Sequence, residues 1–163
     1  MIDDSLEAQE LDSLEDELLS ANVSFGEMTC QYARYLLSLI DRGLFKAISN
    51  SKLEILAPYL KEGAMRERIE NNESLRKALA LELWEIERQY RRLDGRFADL
   101  VRCTLFCFET EERWIEEGTG DVTPIYLYFL ILKKILPSIR RDFIESFQRF
   151  IRTRNTVDLT GDI

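Results

Sequence analysis

At 163 residues, 45% of them apolar and with nine Phe and two Trp, the chain has enough length and apolar surface for one domain with its own core. It contains no His, which removes the usual general base, the usual neutral metal ligand and every Ser-His or Cys-His nucleophile. The whole net charge of −8 sits in residues 1–22, where eight carboxylates stand without a single Lys or Arg, so an acidic arm precedes a charge-balanced body.

In that arm Leu11, Leu14 and Leu18 have helical spacing, with Asp12, Glu15, Asp16 and Glu17 between them. The pattern predicts an amphipathic helix whose apolar stripe is narrow, either docked on the body or mobile, and separable from it. Its carboxylates are expected to meet something basic, within the chain or on a partner. Asn22-Val23-Ser24 breaks the pattern, and Ser24 with Glu27 has the spacing of a capping box that starts a second helix. That helix is expected to bend at Gly43 and continue to about Ser49. Ser51 and Glu54 repeat the capping spacing for a short third helix, limited by Pro58 and ended by Gly63. Ala64 to Glu70 predicts a further turn or two of helix, and Asn71-Asn72 a cap.

The clearest pattern runs from Ser74 to Glu117. Leu75, Leu79, Leu83, Ile86, Tyr90, Leu93, Phe97, Leu100, Thr104 and Phe108 recur at steps of three and four, one side of a helix. Arg88, Arg91, Arg92, Arg96 and Arg102 fall in a sector about 140° wide on the other side. A helix of such length would reach about 60 Å, wider than a domain of this size, so an interruption is expected, best placed at Asp94-Gly95. Gly118-Thr119-Gly120 closes the segment, and Asp121, Thr123 and Pro124 start a final helix over 124–153, apolar all round to Leu132 and kinked at Pro137. The result is an all-α, single-domain bundle of about six helices, with an arm (1–22), a body (23–154) and a tail (155–163).

Among candidate sites, Arg88, Arg91, Arg92, Arg96 and Arg102 present guanidinium groups suited to carboxylates or phosphates. Trp84 lies near the arginine sector and is an interface candidate. Glu82 with Glu85, and Glu109 with Glu112, form two E-x-x-E pairs, a spacing that can hold Mg²⁺ through oxygen ligands. In that spacing the chain resembles nucleotide pyrophosphohydrolases of the MazG type, which implies Mg-dependent phosphohydrolysis, although the second pair lacks the Asp on which that pattern ends. Gly120-Asp121-Val122-Thr123-Pro124 is similar to a phrase in phycobiliproteins; the chromophore-attaching Cys and its surroundings are missing, so no bilin role follows. The succession of long helices is similar to the helical part of GINS replication subunits. Cys30, Cys103 and Cys107 lack zinc-ligand spacing and are expected to be buried thiols.

Together these features predict a non-catalytic protein interaction or assembly subunit, homo- or hetero-oligomeric, without cofactor, bound metal or membrane span. The alternatives are a nucleic-acid-associated subunit using the arginine face, and the MazG-like hydrolase. Three Cys and no basic, apolar leader predict an intracellular setting, cytoplasmic or nuclear.

Overall fold

The computed structural model describes residues 4–65, 71–117 and 123–160. Among them are eight helices and no strand: α1 Asp4–Ser20, α2 Phe25–Asp41, α3 Asn50–Gly63, α4 Glu73–Tyr90, α5 Gly95–Phe106, α6 Glu111–Glu117, α7 Ile125–Ile135 and α8 Arg140–Thr160. The expectation of about six helices is therefore corrected upwards. The expected segment 74–117 is three helices, and the expected Pro-kinked final helix is two.

Each break has a local cause. Asp94 accepts a hydrogen bond from the Phe97 N–H at 3.2 Å, capping a new helix rather than extending the old one. α5 can then fold back on α4 as an αα-hairpin, which buries both apolar stripes against one another. After Ile135 the backbone leaves helical geometry before Pro137, whose ring disfavours helix in the preceding residue, and a fresh helix starts at Arg140. That helix continues to Thr160, past the Thr153 at which helix was expected to give way to a tail.

Gly43 does not bend α2 but ends it. At φ +72° it takes the left-handed conformation, and the Leu44 N–H reaches the Leu39 carbonyl at 3.1 Å to close the helix end. The Ser24 capping box forms as expected, with the Glu27 N–H donating to Ser24 Oγ at 3.1 Å and the Ser24 N–H to Glu27 Oε1 at 3.5 Å. The cap of α3 is Ser49 instead of Ser51. Gly63 is the last residue of α3, where the helix was expected to end, and also serves close approach: a Cβ there would stand 3.2 Å from that of Cys107 and 3.3 Å from that of Ala33. The expected extra helical turn over 66–70 and the glycine stop at 118–120 lie outside the described residues.

The core is continuous. α7 is central, with Ile125, Tyr128, Phe129 and Leu132 all buried, and it packs on α5, α1 and α8. Tyr128 stacks on Tyr32 of α2 at 4.0 Å between ring centroids, while the Tyr32 hydroxyl donates to the Tyr128 carbonyl at 2.9 Å. Leu11, Leu14 and Leu18 of α1 are no more than 2% exposed and join this core, so of the two expectations for the arm, docked or mobile, it is the docked one that the structure shows. Three leucines suffice because α7 and α8 form a groove on which α1 lies. No helix among the described residues is long and apolar enough to cross a membrane.

Candidate interaction surface

The hairpin break rearranges the predicted arginine face. On one straight helix all five guanidiniums would line a single side; folded at Arg91–Leu93, the two arms bring Arg91 and Arg102 onto one carboxylate. Glu87, fully buried, accepts from Arg91 Nε at 2.9 Å and Nη2 at 2.6 Å, and from Arg102 Nη2 at 2.8 Å. Arg102 also donates to Asp99. The Arg91 hydrogen bonds, reinforced by Arg102 and opposed by burial, hold the Glu87 carboxyl below the usual carboxylate range. These two arginines therefore clamp the hairpin, with Arg102 drawn inwards and only a third exposed.

The other three lie at or near the hairpin tip. Arg88 pairs with Glu85 at 2.9 Å, both side chains being exposed, so this pair holds Arg88 only weakly. Arg92 and Arg96 are exposed and have no ion-pair partner among the described residues. Between them Leu93 is 78% exposed. Asp94, the nearest carboxylate in sequence, is occupied by Lys52 Nζ at 2.6 Å and by the α5 cap. The tip is thus an apolar knob flanked by uncompensated guanidiniums.

Trp84 stands further along α4, with 42% of its surface exposed, beside Leu81 at 63%. Its indole walls a cleft of about 300 Å³ whose apolar lining is Ala80, Leu105, Phe106 and Phe108. Arg102 and Arg113 lie at its rim; Arg113 is held only by long ion pairs to Glu109 and Glu117, at 3.6 and 3.5 Å. α6 borders this cleft. It is anchored by buried Trp114, whose ring lies 6.1 Å from that of Phe25, and it exposes Ile115 among Glu111, Glu112 and Glu116.

The acidic residues of α1 behave differently. Lys133 Nζ donates to both oxygens of Glu7 at 2.9 and 3.2 Å, and Arg140 lies 3.3 Å from Glu10. Glu15 accepts from the Thr123 hydroxyl, and Glu17 from Gln148 Nε2 at 3.2 Å. Of the four predicted arm residues, Glu15 and Glu17 thus face α7 and α8, whereas Asp12 and Asp16 are exposed on the outer side. Two basic groups of this chain, Lys133 and Arg140, thus lie opposite the arm.

The two carboxylate pairs are not brought together as a metal centre. Glu82 accepts from the Tyr59 hydroxyl at 3.2 Å, Glu85 engages Arg88, Glu109 engages Arg113, and Glu112 is exposed. Among the described residues no group of three or more Cys, Asp or Glu side chains is close enough to hold a metal ion. All three cysteines are free and buried; Cys30 donates to the Ala64 carbonyl at 3.0 Å, and burial pushes the Cys103 thiol up to about 12. Sequence reasoning missed the Glu87 clamp and the exposed knobs Leu93 and Ile115. Asp94 directly before Gly95 was the available signal, since an Asp there caps a helix start as well as it tolerates an interruption.

No protein-family model, curated protein or solved structure matches the chain.

Proposed function

We propose that the protein is a non-catalytic interaction or assembly subunit that engages an acidic protein surface through the tip of the α4–α5 hairpin. The observation that carries this reading is the unequal use of charge: Glu7 and Glu10 of α1 are ion-paired to Lys133 and Arg140, while Arg92 and Arg96 flank an exposed Leu93 with no ion-pair partner among the described residues. An apolar group ringed by arginines is the composition of an interface hot spot. In this reading the acidic stretch 1–22 serves the bundle internally, neutralising Lys133 and Arg140. Free, buried cysteines suit an intracellular, cytoplasmic setting.

Reversal of Arg88, Arg92 and Arg96 together to Glu tests the reading. Capture of partners from native lysate should be lost, with helical circular dichroism unchanged, because none of the three contributes to the core. Nuclease treatment should leave capture intact. Loss of capture on nuclease treatment alone would favour a nucleic-acid-associated subunit, the reading that the same unpaired guanidiniums support next best. Nucleoside triphosphates should persist in the presence of Mg²⁺; turnover abolished by Glu82→Gln or Glu112→Gln would replace the proposal with phosphohydrolysis.

A further inference from the structure

We infer that the chain pairs with a second copy of itself, outer face of α4 against outer face of α4, in a two-fold dimer. The inference rests on the reading above, in which the arginine tip binds an acidic protein surface, and it names that surface as α6 of the partner copy.

α4 is an edge helix that packs chiefly on α5, so its far side is uncovered. At 100° per residue that side is centred on Leu81, with Lys77, Ala78, Trp84, Glu85 and Arg88 around it, all exposed. Leu81 and Trp84 form the exposed apolar middle of this face. The two ends of the face differ in sign. Beside the first half of α4 runs α6, whose Glu111, Glu112 and Arg113 share a groove with Glu73, Arg76 and Lys77; α6 itself is acidic, with Glu111, Glu112, Glu116 and Glu117 against Arg113 alone, and its Ile115 is 67% exposed. Beyond the last turn of α4 lies the tip, with Arg92, Leu93 and Arg96. Glu111, Glu112 and Glu116 have no ion-pair partner among the described residues, and neither have Arg92 and Arg96.

Such a face is complementary to itself. A half-turn about an axis perpendicular to α4 near Leu81 lays the basic tip of one copy over the acidic α6 of the other, and repeats that contact at the opposite end. Leu81 and Trp84 of both copies meet in the centre. The contact is closed and isologous, so it terminates at two copies instead of propagating. α4 has 18 residues, about 27 Å. With α6 beside it the face is about two helices, or 20 Å, wide, and the tip extends it further, on the scale of the ~800 Å² that each partner buries in a standard interface.

The experiment uses the purified chain, with mass measured by sedimentation and light scattering over a concentration series. The wild type should be a dimer whose dissociation constant rises with salt. A tip-reversed variant, Arg92→Glu with Arg96→Glu, and an acid-reversed variant, Glu112→Arg with Glu116→Arg, should each weaken the dimer by about a hundredfold or more, since like charges then face each other at both ends. Mixed in equal amounts, the two variants should form a heterodimer, because each then offers the charge that the other lacks. Leu81→Asp should give a monomer with unchanged helicity, independently of those charges. A wild type that stays monomeric, a dimer indifferent to the reversals, or a mixture without recovery overturns the inference. If the wild type is monomeric yet partner capture still requires the arginines, the proposed function stands and only the second copy is wrong; if the chain dimerises as described but capture ignores the arginines, the acidic surface they serve is the second copy alone.

Discussion

The seam between α1 and the α7–α8 pair and the hairpin of α4 and α5 are both rich in charge and use it in opposite ways. Along the seam, carboxylates of one helix meet basic or hydrogen-bonding groups of another, as Glu7 with Lys133 and Glu10 with Arg140, and the leucines beneath are buried. At the hairpin, two arginines close on Glu87 and the remaining ones face solvent around Leu93. Net charge therefore points to the wrong end of the molecule. The arm that holds the whole imbalance is tied into the fold through Glu7, Glu10, Glu15 and Glu17, and the balanced body carries the unpaired guanidiniums beside Leu93. Whether a charge has a partner on another helix, and not how many charges a segment has, separates scaffold from available surface.

Removing the seam should have the largest effect. Leu11, Leu14 and Leu18 are each worth roughly 1.5–3 kcal/mol of burial, together a large part of the roughly 5–15 kcal/mol that holds a domain folded. Deletion of residues 1–22 should abolish cooperative thermal unfolding and expose the α7–α8 groove to aggregation. Leu14→Ala alone should cost about 2–5 kcal/mol in urea unfolding. A truncated protein that melts cooperatively near the wild-type temperature would show that α1 is a removable arm after all.

Within the hairpin, two neighbouring glutamates offer a sharper comparison. Glu87 is fully buried beneath Arg91 and Arg102, whereas Glu85 pairs with Arg88 in the open. Glu87→Ala should cost about 2–3 kcal/mol, because charge-assisted bonds from both arms are lost. Glu85→Ala should change stability by no more than ~0.5 kcal/mol. Equal losses at the two positions would mean that the Glu87 clamp contributes nothing beyond an exposed pair.

Acid should reveal the same distinction more gently. Glu87, Asp94 and Asp142 are all held below the usual carboxylate range, chiefly by hydrogen bonds from Arg91, Lys52 and Arg42 respectively. A carboxyl with a depressed folded pKa stabilises the native state fully above its unfolded value, about 4. That contribution fades as pH falls through the depressed range. Stability should be level around neutrality and fall below about pH 4. Glu87→Gln should lower stability near neutrality and flatten the decline, and an unchanged acid slope would remove Glu87 from its cause.

Much of the fold was legible in the chain because helix starts and apolar periods are local. The Ser24 capping box and the burial of Ile125, Tyr128, Phe129 and Leu132 within the apolar run follow from a few adjacent residues. The hairpin was harder to see: the apolar stripe stays in register across Asp94-Gly95, so periodicity alone describes one long helix as well as two folded together. Only the packing of α5 back on α4 separates these cases, and it also moves Arg102 from an exposed sector into the Glu87 clamp. The fate of Leu11, Leu14 and Leu18 was hidden for a related reason. A narrow stripe on α1 is peripheral or central according to the shape of the α7–α8 groove, which no residue of α1 encodes.

The smallest effect is expected at Asp12 and Asp16, the two arm carboxylates on the outer side of α1. Unlike Glu7 and Glu10, they face away from α7 and α8, are exposed, and have no ion-pair partner among the described residues. They repel the other carboxylates of the arm only through water, where screening over about 8–10 Å at moderate salt leaves little interaction. Asp12→Asn with Asp16→Asn lowers the negative charge by two yet removes no contact, so urea unfolding should shift by no more than ~0.5 kcal/mol and in the stabilising direction if at all. Partner capture and dimer mass should be unchanged, because both depend on α4, α5 and α6. Glu7→Gln in parallel should cost more, since it leaves the Lys133 ammonium, three-quarters buried beside α1, without its counter-charge. A loss at Asp12 and Asp16 as large as that at Glu7 would mean that the acidic arm acts as a whole, through its summed field, and that the partner-by-partner distinction between seam and hairpin is the wrong way to divide this molecule.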